Sequence, residues 1–126
     1  MTSTTAIPTI VLGGSGYVAG EFLRLTADHP HLTLGGVVSS SQAGEAVAKT
    51  FPHLAPIYTH EQFVSLEAVI DRLATAPKWL VLSAAPHGAA AHLIDKLLRA
   101  GQSTGAELVV VDASADFRFA DPAAYA

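Results

Sequence analysis

Hydrophobic positions fall along the chain in two alternating rhythms, short unbroken runs and longer stretches with apolar residues three and four apart. Thr9 to Leu12 is a short, β-branched run that ends in glycines, as a buried parallel strand would. Val18, Phe22 and Leu25 then recur at helical spacing, Ala19 and Leu23 fill the same face, and Asp28-His29-Pro30 ends the pattern. Leu32 to Val38 reads as a second strand, followed by the polar loop SSSQAGEA and a short helix near Glu45 to Thr50. Pro52 and Pro56 make Phe51 to Tyr58 irregular, and Phe63, Leu66, Val69, Ile70 and Leu73 mark an amphipathic helix before Pro77. Trp79 to Ser83 is a third buried strand. From Gly88 to Arg99 the residues Leu93, Ile94, Leu97 and Leu98 define another apolar face; Lys96 and Arg99 suit the helix end, and Gly101 stands where a left-handed cap belongs. Leu108 to Val111 is a fourth strand, Gln102 to Glu107 the softest connection, and the tail after Phe119 carries no recognisable element. Alternating helices and uninterrupted apolar strands predict an α/β fold with a parallel sheet covered on both faces, because each crossover helix must return the chain to the same sheet.

Composition adds limits. At 126 residues, 50% of them hydrophobic, the chain is sized for one core and one domain, 1–126. Seven basic against eleven acidic residues, without long like-charge runs, argue against nucleic acid as a partner. The start MTSTTAIPTIVL lacks a basic region and reaches only a short apolar stretch, unlike a signal peptide; Trp79 to Ile94 is interrupted at Pro86, His87 and Gly88 and falls short of a membrane span. The expectation is a cytoplasmic protein with no membrane partner. The absence of cysteine excludes disulfides, zinc-thiolate sites and a thiolate nucleophile within this chain.

The first turn carries the chemistry. Gly14-Ser15-Gly16 with Ala19 matches G-x-G-x-x-A, and Gly13, Gly16 and Ala19 match the looser G-x-x-G-x-x-A. In either register glycine permits a left-handed turn, a bare backbone admits a phosphate, and a small residue lets the helix pack on the strand. The helix start offers free N–H groups and a positive dipole end to a pyrophosphate. Because the motif follows a predicted strand and opens a predicted helix, it predicts a Rossmann-type, doubly wound domain that binds a dinucleotide. No Lys-Ser/Thr pair follows the glycines, which excludes a P-loop, and Tyr17 occupies the final glycine position of a nucleophile elbow around Ser15.

A site for NAD(H) is expected to place Asp or Glu at the end of the second strand to grip the ribose diol, yet this chain has Ser39, Ser40 and Ser41. Small hydroxyl donors leave room for a 2'-phosphate, so NADP(H) is favoured, with NAD(H) possible.

With GGSGY at Gly13 to Tyr17, PHL at Pro52 to Leu54, APHG at Ala85 to Gly88 and SADFR at Ser114 to Arg118, the chain resembles the N-acetyl-gamma-glutamyl-phosphate reductases of the semialdehyde dehydrogenase group. The resemblance runs in order from about residue 8 to the end. It implies NADPH-dependent reduction of an acyl phosphate to a semialdehyde in arginine biosynthesis, by an enzyme that assembles as a homo-oligomer. Carried onto this sequence, it implies that Gly13, Gly14, Ser15, Gly16, Tyr17, Val18 and Ala19 surround the pyrophosphate and that Ser39 and Ser41 face the adenosine ribose. Ala85, Pro86 and His87 would line the loop after the third strand. Arg118 would approach the substrate phosphate, where a planar guanidinium can hold two oxygens at once.

The chain departs from that pattern at two charges: Ser40 and Glu45 stand where the family commonly has arginine and lysine. The family also relies on a cysteine that forms a thioester and a histidine that acts as acid and base, both beyond Ala126. The expectation is therefore a cofactor domain alone, catalytically inactive by itself. A free-standing dinucleotide-binding module, the lysine-pathway homologue and an aspartate-semialdehyde enzyme remain as alternatives, although SADFR and PHG disfavour the last.

Other polar residues suggest less. The six histidines form no i, i+4 pair and read as surface or loop residues, with His87 singled out by its place after a strand. Asp112 and Asp116 read as turn residues or partners of Arg118 rather than paired catalytic carboxylates. Trp79 and Phe63 read as core.

Overall fold

The computed structural model describes residues 6–13, 16–85 and 89–113. The first apolar run forms strand β1 (Ile7–Leu12), and helix α1 (Tyr17–Asp28) leads from it to β2 (Leu32–Val38). The short helix α2 (Val47–Thr50) and a 3-10 turn at Pro52–Leu54 precede α3 (Leu66–Arg72). Strand β3 (Lys78–Ser83), helix α4 (Ala90–Thr104) and strand β4 (Glu107–Asp112) complete the order. All pairings are parallel, in the order β2-β1-β3-β4, so the fold is the expected Rossmann-type α/β sheet.

The period-two alternation of β1 divides the core between the two sheet faces. Ile10 and Leu12 pack with Trp79, Val81, Val69, Ile94 and Leu97 under α3 and α4. Val11 packs on the other side with Val37, Ala19, Leu23, Phe51 and Phe63, under α1 and the segment after α2. Trp79 and Phe63 are buried, as expected, and the Trp79 indole N–H donates to the carbonyls of Leu73 (3.1 Å) and Ala76 (3.2 Å).

Several sequence expectations are corrected. The buried stripe of α1 is Ala19, Gly20, Leu23 and Thr26, while Val18 and Leu25 are exposed, because the small residues let α1 sit close to the sheet and turn the larger ones outward. Phe63 is extended rather than helical. Its N–H donates to the Glu45 carbonyl (2.9 Å), and α3 begins only after Ser65, whose hydroxyl accepts from the Ala68 N–H (3.2 Å). Gly101 is not the cap of α4. The helix runs a turn further to Thr104, and Gly105, at φ +80°, is the left-handed residue there. Gly101 instead lies buried where a Cβ would come within 2.6 Å of Leu108, so its small size serves helix-to-strand packing. Lys96 consequently belongs to the middle of α4, and the first half of the supposed soft connection, Gln102 to Thr104, is helix. Among the described residues, β4 is covered on one face only: Leu108 and Val110 join the core, whereas Val109 and Val111 are exposed.

Candidate dinucleotide-binding site

The chain moves from β1 to β2 on one side and then to β3 and β4 on the other, so the order reverses between β1 and β3. Ligands of doubly wound sheets collect at the carboxyl ends of the strands at such a reversal. A cleft of about 650 Å³ opens there, lined by Gly13 and Gly16, by Ser39 to Ser41 beyond β2, by Ser65 to Glu67 at the start of α3, by Ala84 and Ala85 beyond β3, and by Ala89, His92, Leu93 and Lys96 of α4.

Each lining element is fixed by its local sequence. Gly13 has φ +74°, and a Cβ there would lie 2.5 Å from the Ala85 Cα and 2.7 Å from the Ala84 carbonyl carbon. The turn after β1 is thus pressed against the backbone leaving β3, where the Ala84 N–H donates to the Leu12 carbonyl at 2.9 Å. Gly16 precedes α1 in extended conformation and supplies no side-chain cap, and no acidic residue stands in the first turn. A Cβ on Gly16 would meet no atom of the described residues within 4 Å, so none of them fills the space beside the helix start. An uncapped, twelve-residue helix whose start they leave free suits an anion.

The serine loop is held by residues 61–64, which run alongside it as a strap. The Val64 N–H donates to the Val37 carbonyl (2.9 Å), the Ser39 N–H to the Val64 carbonyl (3.2 Å) and the Gly44 N–H to the Phe63 carbonyl (2.7 Å). Ser39 is buried and its Oγ lies 3.5 Å from the Ser41 Oγ. Glu45 turns to Lys49, 3.8 Å away, at the back of this loop.

Gly13, Gly16, Ser39, Ser41 and Ala85 therefore meet on one cleft. The side chains of Tyr17 and Val18 do not line it, and Tyr17 is 83% exposed. Gly14, Ser15, Pro86, His87, Asp116 and Arg118 lie outside the described residues. Sequence reasoning missed Ser65, Glu67, His92 and Lys96. The signal for the last two was present: Ala89, His92, Leu93 and Lys96 are spaced to share one helix face. Among the described residues no group of His, Asp and Glu could hold a metal ion, and no helix is long and apolar enough to cross a membrane.

A doubly wound sheet whose glycine turn, uncapped helix and hydroxyl loop share one cleft defines a dinucleotide-binding domain. The chain belongs to the semialdehyde dehydrogenase family, with residues 9–126 matching its NAD-binding domain. It is 41% identical over 115 residues to a protein of Thermomicrobium roseum named putative [LysW]-L-2-aminoadipate 6-phosphate reductase, covering 91% of this chain and 29% of that one. Identity is 39% over 119 residues to the N-acetyl-gamma-glutamyl-phosphate reductase of Rhodospirillum rubrum, covering 91% of this chain and 31% of the relative. It is 38% over 120 residues to that of Mycobacterium avium, with the same coverage. The chain thus spans less than a third of the length of these relatives. The crystal structure of RSP, a Rex-family repressor, shares the fold with a TM-score of 0.58 at 17% identity, over 85% of this chain and 53% of that one.

Proposed function

We propose that the chain is the NADP(H)-binding part of an N-acetyl-gamma-glutamyl-phosphate reductase, which reduces an acyl phosphate to N-acetylglutamate semialdehyde. The observation that carries the reading is the convergence of Gly16 and the Ser39–Ser41 loop on one cleft at the strand reversal. The bare turn and the first amides of α1 hold the pyrophosphate, and the serine hydroxyls face the adenosine ribose. The dinucleotide supplies a hydride. This chain's residues bind and orient the carrier, while the leucine and alanine wall from Leu66, Ala84, Ala85 and Leu93 excludes water from part of its surface. The thiol that attacks the acyl phosphate has to come from elsewhere, because this chain has no cysteine. Membership of the semialdehyde dehydrogenase family and the names of the relatives from R. rubrum and M. avium support the substrate class.

The T. roseum relative favours a second reading, reduction of a [LysW]-L-2-aminoadipate 6-phosphate. The full-length protein is assayed in the reverse direction, with phosphate, NADP+ and either semialdehyde, following NADPH formation. Turnover of N-acetylglutamate semialdehyde is expected; turnover of the LysW-linked aminoadipate semialdehyde alone would select the second reading, and turnover of neither would remove both.

A further inference from the structure

The serine loop brings hydroxyls to the ribose end of the cleft but no cation, and a 2'-phosphate bound by hydroxyls alone would keep most of its charge unmatched. The described cations are mostly engaged away from the cleft: Arg24 with Glu21 and Asp28, Lys49 with Glu45, Arg99 with Asp95, and Arg72 with the Gly35 carbonyl. Lys78 opens β3, at the opposite end of that strand from the cleft. Lys96 is different. It is the one lysine or arginine among the described residues that lines the cleft, and it reaches across from α4 to Glu67 on α3, at 3.7 Å. Both partners line the same cavity as Ser39 to Ser41, and both are partly open to solvent, Lys96 at 46% and Glu67 at 71%. An ion pair so exposed is weakly held, so the ammonium can exchange a carboxylate for a stronger anion.

We propose that Lys96 is the residue that sets the preference for NADPH over NADH, supplying from α4 the positive charge that the serine loop lacks, with Glu67 as its resting counter-ion. The inference rests on the dinucleotide site proposed above and deepens it. Lysine suits the role because a flexible, strongly hydrated ammonium can follow a phosphate without a fixed geometry. Glu67 opposes the role, since it competes for the ammonium and repels the incoming dianion. The preference is therefore held below what Lys96 alone would give.

Dissociation constants of the full-length protein for NADPH, NADH and adenosine 2',5'-bisphosphate, measured for wild type, Lys96→Met, Lys96→Arg and Glu67→Gln, test this. Lys96→Met is expected to weaken NADPH and the bisphosphate by about tenfold or more while NADH changes by less than about twofold, and Lys96→Arg to restore most of the loss. Glu67→Gln is expected to tighten NADPH by a few-fold. Equal losses for both dinucleotides in Lys96→Met, or no loss, would overturn the proposal. So would a selective loss of NADH in Glu67→Gln, which would make that carboxylate the ribose-diol acceptor. Wild-type protein that binds NADH but not NADPH would defeat this inference and leave the site standing, whereas binding of neither would end both.

Discussion

The two described glycines of the first turn both line the cleft but do different work. Gly13 is packed against the Ala84 and Ala85 backbone at positive φ, so Gly13→Ala is expected to destabilise the fold by about 3 kcal/mol or more, read by denaturant unfolding. A side chain at Gly16 would meet none of the described residues. Gly16→Val should therefore keep its melting temperature within about 3 °C of wild type yet show no NADPH binding by titration calorimetry. An unchanged titration curve would move the pyrophosphate elsewhere. The glycine string was legible in the sequence, but the division of labour was not, since it depends on which strand end lies behind each residue. Tyr58 was also opaque. Its hydroxyl donates to the Leu23 carbonyl at 2.7 Å, and burial pushes its pKa up to about 12 from 10.0. Because the folded state keeps this proton where the unfolded state loses it, the contribution is whole below pH 10 and is lost as pH rises through 12. Tyr58→Phe should cost about 1 kcal/mol at neutral pH and flatten the decline in stability between those limits, as followed by urea melts at a series of pH values.

At the scale of elements, strands were the most legible because four short apolar runs admit little else, and all four occur. Helix ends were less so. The pattern of Phe63, Leu66, Val69, Ile70 and Leu73 fits one helical face, but Phe63 is recruited by the serine loop as part of the strap and the helix waits for the Ser65 cap. Likewise Gly101 and Gly105 are equivalent by composition, and only the packing of Leu108 decides which one is interior. Gly105→Ala is expected to cost about 1 kcal/mol in chemical denaturation, since alanine must take up φ +80°. Loss of less than about 0.3 kcal/mol would mean that the cap relaxes to another conformation.

On the whole molecule, alternation of strand and helix was enough to predict a parallel sheet, and the glycine motif in its strand-turn-helix setting to predict a doubly wound one; the strand order β2-β1-β3-β4 that places the cleft came from the structure. What could not be read was the convergence of α3 and α4 on that cleft, because Glu67 and Lys96 are far apart in sequence and carry no motif. The absence of cysteine has a direct consequence at this scale: the 126-residue polypeptide, mixed with acyl phosphate and NADPH, is expected to give no oxidation above the buffer rate. Sustained turnover would place the reaction's nucleophile on a different chemistry.

The contact between Gly13 and Ala85 binds two strand ends into a single stiff corner. Engineering of coenzyme choice should therefore leave that corner alone and draw its variation from the opposite wall, where Ser40, Ser41, a glutamate and a lysine meet solvent and can be exchanged without moving a strand. One half of the pocket acts as an anvil, and the other is open to retooling.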